Sequence, residues 1–175
     1  MDFEEYVLVR RKLWNAEDKF KDLGGKVPDE LMGSYIPKEE WETLNEKEQK
    51  KVIEETKVFI DRLSKLSCPS TSGYEDLIEI AKEAKKNAKN AIESDDGGSC
   101  NLDTAWVKIK GDTIAIIYAI NKGGLRASPH SDKGYIRISP PDVIYQGFNR
   151  TRQVKAIADT FKNHGYSAGV SYAMD

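Results

Sequence analysis

An α+β protein is the fold class this sequence predicts: an N-terminal three-helix region followed by a small β-β-β-α-β sheet-plus-helix domain. Three observations point there. Apolar residues recur at helical spacing through the first half of the chain. A polar, glycine-containing stretch at Ser94–Ser99 then interrupts the pattern. Beyond it the apolar period falls to two, the mark of half-buried strands. The expected division is therefore 1–95, a helical region for packing and oligomerisation, and 96–175, an α/β ligand-binding domain.

The elements follow in order. A first helix is expected from Asp2 to Leu23, with Phe3, Tyr6, Val7, Leu13, Trp14 and Phe20 near one face and Gly24-Gly25 as its stop. Pro37 opens a turn over Lys38–Thr43 that contains Trp41. Asn45 with Glu48 three residues on has the form of a capping box. The helix behind it carries an apolar stripe of Val52, Ile53, Thr56, Phe59, Leu63 and Leu66, ending before Cys68-Pro69. A third helix, Tyr74 to Glu93, lines Leu77, Ile78, Ala81, Ala84, Ala88 and Ile92 on one face. In the second region Ala105, Val107 and Ile109 alternate with Trp106, Lys108 and Lys110, which predicts a strand. Gly111-Asp112 predicts a tight turn, and the continuously apolar Thr113–Ile120 a central strand. Asn121–Gly134 predicts a loop, Tyr135–Ser139 a third strand, and Asn149–Asn163 a helix with Val154, Ile157, Ala158 and Phe161 buried. Tyr166–Met174 predicts a last strand. Ser167, Gly169, Ser171 and Ala173 form its small-residue face, which would admit a helix or another chain at close range.

Composition narrows the function classes. The chain of 175 residues is 39% hydrophobic and 32% charged with a net charge of −2, so it is no polycation built to coat nucleic acid, and no nucleic-acid partner is expected. Residues 1–95 hold 17 Lys+Arg against 22 Asp+Glu, whereas residues 96–175 hold 10 against 7, so an anionic ligand is better placed in the second region. The two cysteines, Cys68 and Cys100, form no CxxC pair or disulfide framework, and a reducing cytoplasm is the expected setting. The opening MDFEEYVLVRRKLW has acids before any base and no apolar run, so no signal peptide is expected, and no apolar stretch is long enough for a membrane span. Three striped helices offer more apolar face than one small sheet covers, which predicts a homo-oligomer.

Two segments carry residues suited to binding. Gln146-Gly147-Phe148-Asn149-Arg150-Thr151-Arg152 opens the last helix. Its first-turn N–H groups and dipole attract an anion, and arginines there oppose the dipole at about 0.3–1 kcal/mol each unless a ligand uses them. Guanidinium groups grip phosphate bidentately, glycine allows close backbone approach, and Phe148 or a sheet tyrosine offers a ring to a base. The alternative is a pair of solvated arginines at a surface turn. Gly97, Gly98, Ser99, Asn101 and Asp103, with Cys100 among them, gather glycine, hydroxyl, thiol, amide and carboxylate just before a strand. A nucleophilic Cys100 needs a base, and only His130 and His164 are present, neither at a supporting spacing. A Ca²⁺ ladder is lacking, as are the Walker, HExxH, GxSxG and GxGxxG patterns, so neither catalysis nor a metal or cofactor is expected. Asn121–Gly134, with Lys122, Arg126, His130 and Lys133, reads either as a cover over a ligand or as a loose hairpin tip.

The segment Gly97-Gly98-Ser99-Cys100-Asn101-Leu102-Asp103, the later Gln146-Gly147 with Arg150 and Arg152, and the ending Tyr172-Ala173-Met174-Asp175 resemble a group of small bacteriophage and prophage proteins with a GG-[TS]-CN-[FL]-D segment and a terminal Y-x-M-D. That likeness spans about the last half of the chain. In organisation the chain also resembles phage anti-defence proteins that sequester nucleotide immune signals, including those directed against Thoeris and CBASS systems. The resemblance implies a small oligomer that holds a cyclic ADP-ribose-like or cyclic oligonucleotide signal without cleaving it. On this reading Asn149, Arg150 and Arg152 hold the phosphates. The alternatives are an inhibitor acting by protein contact through its acidic helices, and a Cys-dependent enzyme.

Overall fold

The Asp112 carboxylate accepts hydrogen bonds from the N–H groups of Ile114 and Ala115, and so starts a helix where the apolar run Thr113–Ile120 predicts a strand. This computed structural model describes residues 2–27, 35–94, 97–98, 101–141 and 147–173. The helix, α5 (Thr113–Lys122), buries Ala115, Ile116, Ile117, Ala119 and Ile120. An element covered on all sides reads as apolar whichever its period, so the run itself is silent between helix and strand. The cap decides it.

The chain divides into two compact units, Met1–Pro69 and Ser70–Asp175. In the first, α1 (Phe3–Asp22), α2 (Lys38–Trp41) and α3 (Glu46–Leu66) surround a core of Tyr6, Val9, Trp41 and Ile53. The Tyr6 ring stacks on Trp41 with centroids 4.5 Å apart, and its hydroxyl accepts from the Ile36 N–H at 2.8 Å. The turn expected around Trp41 is thus a short helix that delivers an aromatic to the core. The capping box at Asn45 and Glu48 forms with both of its hydrogen bonds.

The second unit begins with α4 (Glu75–Asn90) and continues β1 (Thr104–Lys108), α5, β2 (Arg126–Pro129), β3 (Tyr135–Ser139), α6 (Phe148–Asn163) and β4 (Ser167–Ser171). The expected order β-β-β-α-β is therefore corrected to β-α-β-β-α-β. Besides the helix at Thr113, a strand, β2, occupies part of the stretch expected as a loop. With four residues and one buried side chain, Ala127, β2 is too short to display alternation. Its Pro129 is tolerated because β2 lies at a sheet edge. The sheet runs β2-β3-β1-β4 with every pair antiparallel, the split β-α-β topology of ferredoxin-like folds.

Ala105, Val107, Ile136, Ile138 and Ala168 form the buried face of the sheet, against α5 and α6. In turn α4 packs on both of those helices. Gly123 makes that approach possible, since a Cβ there would strike the Ala81 side chain and come within 2.7 Å of the Ile78 carbonyl. The compact units divide earlier than the change of residue pattern at Ser94–Ser99, because α4 finds its apolar partners after that change. Within each unit the helical stripes face other elements of the same chain: α1 meets α3, and α4 meets α5 and α6. No described helix is long and apolar enough to cross a membrane.

Gln153 on α6 is fully buried, and neither its amide nitrogen nor its amide oxygen has a hydrogen-bond partner among the described residues. Leaving such a group unsatisfied costs about 1–3 kcal/mol. Gln153→Met keeps the shape and removes the polar atoms. It is expected to raise the urea midpoint, corresponding to a gain of about 1 kcal/mol, and an unfolding curve shifted to lower urea would contradict the assignment.

Candidate functional site

The sequence singles out two segments, and the fold brings them together at the start of α6. Asn101 Nδ2 donates to the Gly147 carbonyl at 2.8 Å and to Thr151 Oγ1 at 3.1 Å. The Thr151 hydroxyl donates to Asp103 Oδ2 at 2.7 Å, and Asp103 Oδ1 accepts from the Ala173 N–H at 3.1 Å. The Phe148 N–H donates to the Gly97 carbonyl, and Gly98 lies against the Phe148 ring. Asn149 is fully buried and pairs with the Glu93 backbone in both directions, accepting from its N–H and donating to its carbonyl. Ser99 and Gln146, like Cys100 and Asp142, lie outside the described residues.

The polar atoms of this cluster are directed at one another. Arg150 Nε donates to the Asp103 carbonyl at 3.0 Å. Arg152 pairs with the Glu93 carboxylate at 2.8 Å, donates to Asn149 Oδ1, and lies 5.9 Å from the Phe148 ring centroid. Each arginine opposes the helix dipole yet has a protein partner that offsets it. The junction ties the approach to β1, the start of α6 and the residues after β4 into one hydrogen-bonded body.

A second surface brings aromatic and basic side chains together on the sheet. Cross-strand register places Ser128, Arg137, Trp106 and Gly169 in one row across the sheet, on the face turned away from the buried Ala105 and Val107. Tyr135, Lys108 and Ser167 form the next row, and Thr104 pairs with Ser171 in a third. Trp106 is held flat: a Cβ at Gly169 would come within 2.6 Å of the indole. The small-residue face expected of the last strand thus admits a side chain from the neighbouring strand. The Tyr135 ring meets Trp106 edge-on, with centroids 5.5 Å apart and planes at 64°. Lys108 Nζ lies 5.2 Å from the Tyr135 centroid, and the His130 ring 5.8 Å from it. Arg126, Arg137 and Lys108 are exposed, and the four strands contain neither Asp nor Glu.

Two depressions open on either side of the aromatic pair. One, of about 310 Å³, is lined by Lys108, Lys110, Lys133, Gly111 and Thr113. The other, of about 300 Å³, is lined by Thr104, His130, Arg137, Ser171 and Leu102. A larger groove of about 660 Å³ runs beside α4, but its acids and bases alternate: Asp76, Glu79 and Glu83 face Lys82, Lys86 and His164. It favours no sign of charge. The alternation at Ala105–Lys110 and Tyr135–Ser139 was the sequence signal for the sheet face. Only the pairing of β1 with β3 shows that Trp106 and Tyr135 meet.

Compared with protein-family models, with curated proteins and with solved structures, the chain matches none.

The network at α6 carries a stability consequence. Asp103→Ala removes the acceptor of both the Thr151 hydroxyl and the Ala173 N–H, and should cost about 1.5–3 kcal/mol in urea unfolding. Arg150→Ala should also lower the midpoint, by about 0.5–1.5 kcal/mol. A gain in stability on removing Arg150 would mean that its bond to Asp103 contributes less than its conflict with the helix dipole.

Proposed function

We propose that this protein is a non-catalytic binder of a nucleotide-bearing ligand, received on the open face of the sheet. One observation carries the reading: Trp106 and Tyr135 lie together on the two central strands, ringed by Lys108, Arg126 and Arg137, on strands without a carboxylate. Aromatic rings on a flat sheet stack on bases, at about 1–3 kcal/mol per base by alanine substitution. Cations beside them meet the phosphates. The Lys108 ammonium now above Tyr135 has a stronger partner in a phosphate oxygen than in a ring, so ligand entry would exchange one for the other.

The start of α6, with Asn149, Arg150 and Arg152, then serves as scaffold, because its polar atoms are engaged by Asp103, Glu93 and one another. Sequestration of a nucleotide immune signal, as the resemblance to phage anti-defence proteins implies, is a narrower form of the same proposal. A second reading, association through the helical unit with another copy or a host protein, is favoured by the exposure of Leu8 (57%) and Val58 (63%).

Indole fluorescence gives the test. Titration with nucleotides and cyclic dinucleotides should quench the emission, and Trp106→Ala should weaken binding by about 1–3 kcal/mol. It should leave the circular dichroism unchanged, since the ring lies on the outer face. Binding that survives in Trp106→Ala at full affinity would reject this face as the site.

A further inference from the structure

We infer that the ligand of this face is a single-stranded polynucleotide, lying across β1 and β3 from the lysine-lined depression to the arginine-lined one. The inference rests on the reading of the open face as a base-stacking surface and names the class of ligand it takes.

Three features of the face favour a chain over a single nucleotide. The first is the angle between the rings. With Trp106 and Tyr135 planes at 64°, one flat base can lie against only one of them. Two rings so tilted serve two bases, splayed apart as they are in an unpaired strand. The bases of a duplex are stacked on each other and present no such faces, so double-stranded nucleic acid does not fit.

The second is the placement of the cations. Lys108, Lys110 and Lys133 gather at one end of the sheet, whereas Arg137 lines the depression that reaches Thr104. Thr104 and Lys108 are four residues apart on one strand, about 13 Å. A mononucleotide stacked on one ring directs its phosphate to one end only. A backbone that enters over the lysines and leaves past Arg137 meets positive charge at both.

The third is the lack of acids on the strands themselves. The strands contain neither Asp nor Glu; beside them Asp132 lies 3.9 Å from His130 Nδ1, and Asp76 lines a depression with Lys108 and Lys110. Thr104, Ser128 and Ser171 supply hydroxyls to sugars and base edges in no fixed pattern, which suits binding tolerant of sequence. The chain-wide charge of −2 hides this, because the acids concentrate outside the sheet.

The experiment is fluorescence anisotropy on the full chain with a labelled oligothymidylate of about eight nucleotides, within the usual single-strand site sizes. Competitors are the same sequence annealed to its complement, thymidine monophosphate, and cyclic di-adenylate. The expected result is binding of the single strand that weakens by an order of magnitude or more between roughly 50 and roughly 200 mM salt. Trp106→Ala should weaken it by about ten- to a hundredfold. Lys108→Ala with Arg137→Ala should flatten the salt dependence while that double variant keeps the parent's thermal midpoint, since both side chains are exposed. If the small nucleotides bind through Trp106 as tightly as the oligonucleotide, the polynucleotide inference falls and the stacking surface stands. If no probe binds, or binding ignores Trp106, the stacking surface itself is overturned.

Discussion

A single buried carboxylate organises the second unit. Asp103 is almost wholly excluded from solvent, and its two oxygens accept from the Thr151 hydroxyl on α6 and the backbone N–H of Ala173. Its carbonyl accepts from Arg150. A buried carboxyl group is costly unless its hydrogen bonds are made, so the three segments must meet for any of them to be stable there. They enclose the residue just before β1, which is a central strand of the sheet.

The open face inherits its order from that junction. β1 pairs with β3 on one side and β4 on the other, and the junction holds the start of β1 to the end of β4. That register sets Trp106 opposite Gly169. A slip of one residue would put Ala168 or Val170 beneath the indole and turn Ala105 and Val107 toward solvent. The hydrophobic pattern of β1 and the flat placement of Trp106 are therefore one constraint seen from the two faces of the sheet.

How far the sequence discloses this differs by element. The helices α1, α3, α4 and α6 are legible because each has a long stripe and a clear start or stop, such as Asn45 with Glu48 or the glycine at 165. Helix α5 is hidden because burial between the sheet and α4 erases its period, and Asp112, read as part of a turn, was the signal that marks its start. Strand β2 is hidden by its length. The convergence of Gly97–Asp103 with the start of α6 is anticipated by residue type, since amides, glycines and arginines gather there, but residue type does not say what those groups hold. In the fold Arg152 takes Glu93 and Arg150 takes a carbonyl. Polar side chains able to grip a ligand are equally able to grip the chain, and only distances separate the two.

The same logic explains why the aromatic face escapes a reading by composition. Lys108, Arg126 and Arg137 are unexceptional as isolated surface charges, and Trp106 and Tyr135 stand 29 positions apart. Antiparallel pairing of β1 with β3 sets Trp106 opposite Arg137 and Tyr135 opposite Lys108, and so assembles a ring pair inside a set of cations. The four strands carry Lys108, Arg126 and Arg137 and no carboxylate, although the chain as a whole is slightly acidic. Topology, by sorting one short alternating strand against another, makes a charged surface out of a sequence whose net charge is close to zero.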